Sequence, residues 1–153
     1  IKTTQMTTTA ETVREAGLDK FYTIPTISEK CLQSIGSRYK WSDWGLVIEP
    51  SAGNGSFLTR IPVDNKLGID ISPEHKDIIK QDFLTYTPPT NAGKILIVGN
   101  PPFGRVSSLA IKFFKCRLVA ICCIFRKHLD DWACFIGIFC NADRIDFCIM
   151  HPL

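Results

Sequence analysis

The sequence predicts an α/β protein built on an open, mostly parallel sheet with helices on both faces. Three observations predict it. Short apolar runs, Leu46–Glu49, Leu67–Asp70 and Ile95–Gly99, are rich in β-branched residues and do not alternate with polar ones, as in strands covered on both faces. Helix-forming segments separate or precede these runs, and strand–helix alternation points to a parallel sheet. The chain has 153 residues, 45% apolar and 22% charged, enough for one domain with a sizeable core.

Taken in order, residues 1–17 are Thr-rich and polar and are expected to form a flexible arm. Residues 18–153 form a single domain. Pro25-Thr26-Ile27-Ser28-Glu29 reads as a helix start, with Thr26 as N-cap and Glu29 three residues later. Ile27, Cys31 and Ile35 recur at helical spacing with Leu32 and Tyr39 beside them, so this helix is expected to end near Tyr39. Leu46–Glu49 and Leu67–Asp70 follow as strands, with a short helix expected over Ser56–Ile61 between them. After the strand Ile95–Gly99, Val106–Lys115 is a longer helical segment. Leu118–Phe125 and Arg144–Met150 are further strands. The pattern becomes irregular beyond about Lys115, where six of the seven Cys lie.

Composition excludes several classes. The longest uncharged apolar stretch, Trp132–Cys140, has nine residues, far short of the ~20 that a spanning helix needs. The net charge of +3 permits a polyanionic partner without demanding one. No apolar leader is present in this sequence and no Cys-x-x-Cys pair occurs, so the expectation is an intracellular protein with reduced thiols. Its cysteines read as small buried hydrophobes and no metal site is expected.

Four clusters carry chemistry. In Glu49-Pro50-Ser51-Ala52-Gly53-Asn54-Gly55-Ser56-Phe57 a strand ends on an acid and two glycines permit a tight turn close to a ligand. A carboxylate there repels a pyrophosphate and suits a cation. The third glycine of the dinucleotide fingerprint is missing, which disfavours a dehydrogenase. Asp70 lies 21 residues beyond Glu49, at the tip of the next run, where an acid accepts both hydroxyls of a ribose. Asp82-Phe83 follows Ile78-Ile79 and offers an acceptor for an adenine amine beside an aromatic face. The most specific cluster is Asn100-Pro101-Pro102-Phe103, directly after an apolar strand. Two prolines fix φ and stiffen the corner. The Asn100 side-chain carbonyl and the Pro101 carbonyl then form a pair of acceptors for an exocyclic amine, and Phe103 offers a face on which a flipped base stacks.

On these residues the chain resembles class I S-adenosylmethionine-dependent methyltransferases, most closely the adenine-N6 branch. The family turn acid-Pro-x-x-Gly-x-Gly-x-aromatic is matched from Glu49 to Phe57, and Asn-Pro-Pro-aromatic from Asn100 to Phe103. Lys20-Phe21-Tyr22-Thr23-Ile24-Pro25 is similar to the segment that closes over the methionine part of the cofactor. The resemblance implies a Rossmann-like sheet and S-adenosylmethionine as cofactor, held by Tyr22, Thr23, Glu49, Pro50, Gly53, Gly55, Asp70, Asp82 and Phe83. It also implies a catalytic corner of Asn100, Pro101, Pro102 and Phe103, and DNA or RNA as substrate. The methyl passes directly and in line to the amine, with no covalent enzyme intermediate; no Cys follows a Pro in the chain.

The resemblance covers about Lys20 to Lys115. Only 50 residues follow Phe103, so the sheet is expected to be short at its carboxyl-terminal end, with a second domain or subunit reading the target. The rival expectations are a non-catalytic methyltransferase-like domain that binds a nucleotide-like ligand or partner, and a protein glutamine methyltransferase.

Overall fold

A computed structural model of the chain describes residues 12–15, 18–100, 102, 112–113, 120–128, 131–139 and 145–149. Strands β1 (Thr12–Glu15) and β2 (Leu18–Phe21) form an antiparallel hairpin. Part of the expected arm is therefore a strand. Helix α1 (Pro25–Arg38) precedes β3 (Leu46–Glu49), β4 (Lys66–Asp70), β5 (Ile78–Lys80) and β6 (Ile95–Gly99). Three carboxyl-terminal strands follow: β7 (Ala120–His128), β8 (Asp131–Phe139) and β9 (Ile145–Ile149).

Seven of the strands form one sheet in the order β5-β4-β3-β6-β7-β8-β9. From β5 to β7 every pairing is parallel; β8 runs antiparallel to β7, and β9 antiparallel to β8. The architecture is thus the open, mostly parallel α/β sheet. The chain moves outward from β3 through β4 to β5, then crosses back to set β6 on the other side of β3. That reversal is where an open α/β sheet forms a crevice at the carboxyl ends of its strands.

Both faces of the central strands are buried, which explains why they do not alternate. On one face Val47, Leu96 and Val98 pack under Ile27, Cys31, Leu32 and Ile35 of α1, together with Trp44, Phe57 and Ile61. On the other, Ile48, Ile69, Ile95 and Ile97 pack with Phe83 and Phe113. Only residues 112 and 113 of the expected helix Val106–Lys115 are described, and both are helical. Among the described residues no helix is long and apolar enough to cross a membrane.

Three local expectations are corrected. Helix α1 is not capped by Thr26: Ile24 is the N-cap, in extended geometry and without a side-chain bond, and Pro25 opens the helix. A proline biases the residue before it to extended backbone and suits the first helical position. Glu29 instead pairs with Arg60 at 3.2 Å. Ser56–Ile61 forms no regular helix; residues 53–60 are successive turns. Arg60 Nη1 donates to the Ser56 carbonyl at 3.0 Å and the Arg60 amide turns to Phe57 at 2.8 Å. The side chain of Arg60 thus occupies the acceptor that its own amide would use in an α-helix. Finally, β8 was legible in the sequence only as an apolar stretch, whereas it pairs along its length with β7.

The sheet leaves no room at Gly68 of β4. A Cβ there would lie 2.7 Å from Leu58 Cδ2 and 3.1 Å from Ile78 Cγ1, and Leu58 and Ile78 are both buried. Gly68→Ala is expected to lower the unfolding free energy by about 1–3 kcal/mol through overpacking. Urea denaturation measures this, and an unchanged midpoint would show that Leu58 yields freely.

Candidate functional site at the strand tips

Parallel pairing of β3 with β6 sets Leu46 beside Ile95 and Ile48 beside Ile97. The residues after each strand therefore emerge side by side at one edge of the sheet. These are the glycine turn after Glu49 and the corner that begins at Asn100. The tips touch: a Cβ on Gly99 would lie 3.3 Å from Pro50 Cδ and 3.5 Å from Glu49 Cγ. Ser51 Oγ donates to the Asn100 backbone carbonyl at 3.1 Å.

In the turn itself, Gly53 has φ +48° and Gly55 φ +80°, backbone that L side chains adopt only with strain. Tyr22 lies across Gly53, where a Cβ would come within 3.2 Å of Tyr22 Cε1. Its hydroxyl donates to Glu74 Oε1, while the Glu74 amide donates to the Gly53 carbonyl at 2.9 Å. Thr23 is buried beside it. The segment after β2 and the glycine turn, which are remote in sequence, are thus brought together. His75 covers the other glycine, with its ring 3.4 Å from the point where a Gly55 Cβ would stand.

Asp70, at the tip of β4, accepts from the Gly53 amide at 2.8 Å on Oδ2 and from the Ser72 amide at 2.7 Å on Oδ1. Each oxygen keeps a further lone pair, and the residue is only half buried. Asp70 therefore fixes the turn and still presents acceptors at the crevice. Ile71, immediately after it, is half exposed despite being apolar. The sequence reading passed over it, because nothing in the local pattern marks a single Ile as uncovered.

Two of the expected cofactor contacts, Glu49 and Phe83, are buried. Glu49 bonds the turn. It is 3% exposed and accepts from the amides of Leu58 at 2.7 Å and Phe57 at 3.3 Å, so it caps the turn from within. Burial raises its carboxyl from the ordinary 4.5 to about 8. Desolvation outweighs the opposing pull of those two amides, and the Asp70 charge adds to the rise. Phe83 is buried as well, and its ring lies 5.2 Å from that of Phe113. Asp82 stays exposed at the end of β5 and accepts from the Leu84 amide at 2.9 Å.

Of the expected catalytic corner, Pro101 and Phe103 lie outside the described residues, and Pro102 is half buried. Asn100 carries the distinctive feature. Its side-chain oxygen Oδ1 is buried and finds no hydrogen-bond partner among the described residues. Buried polar atoms are paired in the great majority of cases; among the described residues this oxygen and Trp44 Nε1 are the exceptions. The Asn100 oxygen, the two positive-φ glycines and the acceptors of Asp70 lie at or just beyond the carboxyl ends of β6, β3 and β4. Among the described residues no group of three or more His, Cys, Asp or Glu could hold a metal ion. The chain matches no known family model and no curated protein.

The buried Glu49 makes stability depend on pH. Between about pH 4.5 and 8 the folded chain holds a proton that the unfolded chain has lost. Stability is therefore fully present below the lower value and falls as pH rises toward the upper, by at most about 1.4 kcal/mol per pH unit. Glu49→Gln, neutral throughout, is expected to flatten this part of the profile in urea titrations. An identical slope in the variant would assign the dependence to other groups.

Proposed function

We propose that the chain is an S-adenosylmethionine-dependent N-methyltransferase whose substrate is the exocyclic N6 amine of adenine in DNA or RNA. The observation that carries this reading is the buried, unpartnered Asn100 Oδ1 at the tip of β6, beside a strained glycine turn. Tyr22, Thr23, Gly53, Gly55 and Asp70 would hold the cofactor, with Ile71 and Asp82 toward its adenine. When bound, S-adenosylmethionine supplies a methyl group activated by a sulfonium.

The chain contributes orientation and electrostatics. Asn100 Oδ1 accepts one N–H of the target amine, and the Pro101 carbonyl, assigned from the sequence, accepts the other. Two acceptors out of the base plane favour a pyramidal nitrogen and free its lone pair from the ring. Placing that lone pair at contact distance removes much of the entropic barrier. Phe103 in this reading stacks on the base, a contact type worth ~1–3 kcal/mol elsewhere. No side chain acts as a nucleophile.

Two variants test the reading. Asn100→Ala is expected to abolish transfer of labelled methyl to an adenine-containing oligonucleotide while cofactor affinity, read by calorimetry, is kept. Transfer that survives the change removes Asn100 from the mechanism, and cofactor binding without turnover on DNA or RNA favours a non-catalytic domain. Gly53→Val should eliminate cofactor binding, with a stability loss of about 1–2 kcal/mol from the positive φ. Unchanged affinity would detach the glycine turn from the cofactor.

A further inference from the structure

We propose that Ser51 is a positioning residue that locks the amine-accepting corner to the glycine turn. The inference rests on the methyltransferase reading and adds a residue to it. Ser51 belongs to the turn after β3, yet its hydroxyl donates at 3.1 Å to the backbone carbonyl of Asn100, 49 residues away. That same asparagine bears the buried, unpartnered Oδ1.

An asparagine side chain has a broad, weakly defined terminal torsion, so fixing its backbone removes one of the two sources of freedom in where its oxygen stands. Three restraints act there. The residue before a proline is held near extended geometry, and Asn100 precedes Pro101. Gly99 packs closely against Pro50 and Glu49, where a Cβ would lie 3.3 Å from Pro50 Cδ. Ser51 supplies the third by fixing the direction of the Asn100 carbonyl, and it is the only one of the three that is a directional bond between the two halves of the site. Sheet pairing brings the two halves of the site to one edge, and this hydroxyl ties the Asn100 carbonyl to the glycine turn there. A displacement of about 1 Å in such an alignment costs up to about 10²-fold in rate.

The test compares the whole chain, Ser51→Ala and Ser51→Thr. Cofactor affinity is read by calorimetry, and single-turnover methyl transfer on an adenine-containing oligonucleotide. The Asn100 side-chain amide signals are followed by nitrogen-resolved NMR, identified by their loss in Asn100→Ala. Ser51→Ala is expected to slow transfer by about 10- to 100-fold and to shift the Asn100 signals, with cofactor affinity and urea midpoint unchanged. Ser51→Thr, which keeps the hydroxyl, should recover both. A wild-type rate in Ser51→Ala overturns the inference, as does a loss that follows cofactor affinity or that threonine does not restore. If the unmodified chain transfers no methyl, the methyltransferase reading fails and the NMR decides Ser51 alone. Asn100 signals that shift in Ser51→Ala and return in Ser51→Thr support the link, and unmoved signals overturn it.

Discussion

The parallel pairing of β3 with β6 is the constraint on which the rest depends. Residues 46–48 and 95–97 are far apart in sequence and lie side by side in the sheet. Every relation in the candidate site follows from that pairing, because it delivers the glycine turn and the asparagine corner to the same edge. The pairing is held by burial on both faces. Val47, Leu96 and Val98 pack toward α1, and Ile48, Ile95 and Ile97 toward Phe83 and Phe113. A parallel ladder with one face in water would have to alternate, and these strands do not.

Charge is used inside the site in an indirect way. Two acids stand at neighbouring strand tips, and they have separate tasks because burial separates them. Glu49 is sealed under the turn and bonds its amides, whereas Asp70 remains half exposed and reaches both the turn and the crevice. The like charge of Asp70 adds to the cost of ionising Glu49. Of these two acids, only Asp70 keeps its carboxylate partly open to solvent. Tyr22 and Glu74 complete this frame, each bonded to the other or to the turn.

Much of the fold was legible because the signals were local. Strands β3, β4 and β6 and the buried face of α1 follow from runs and spacing, which depend on neighbours within a few positions. The N-cap of α1 lies two residues before the expected one, because the capping box at Thr26 competes with Pro25, and proline geometry prevails. The short helix after Gly55 was misread for a similar reason: the side chain of Arg60 takes a backbone acceptor that helix patterns assume is free.

The sequence by itself determined where permissive and stiff backbone falls, since Gly-x-Gly after a strand and Asn-Pro-Pro after another encode it without reference to the rest of the chain. Tertiary structure alone decided which way the side chains face. Glu49 turns inward, Phe83 joins the core against Phe113, Tyr22 settles on Gly53 and Ser51 reaches Asn100. Orientation of this kind is fixed by desolvation and by partners 9 to 49 residues away, and no local pattern records either.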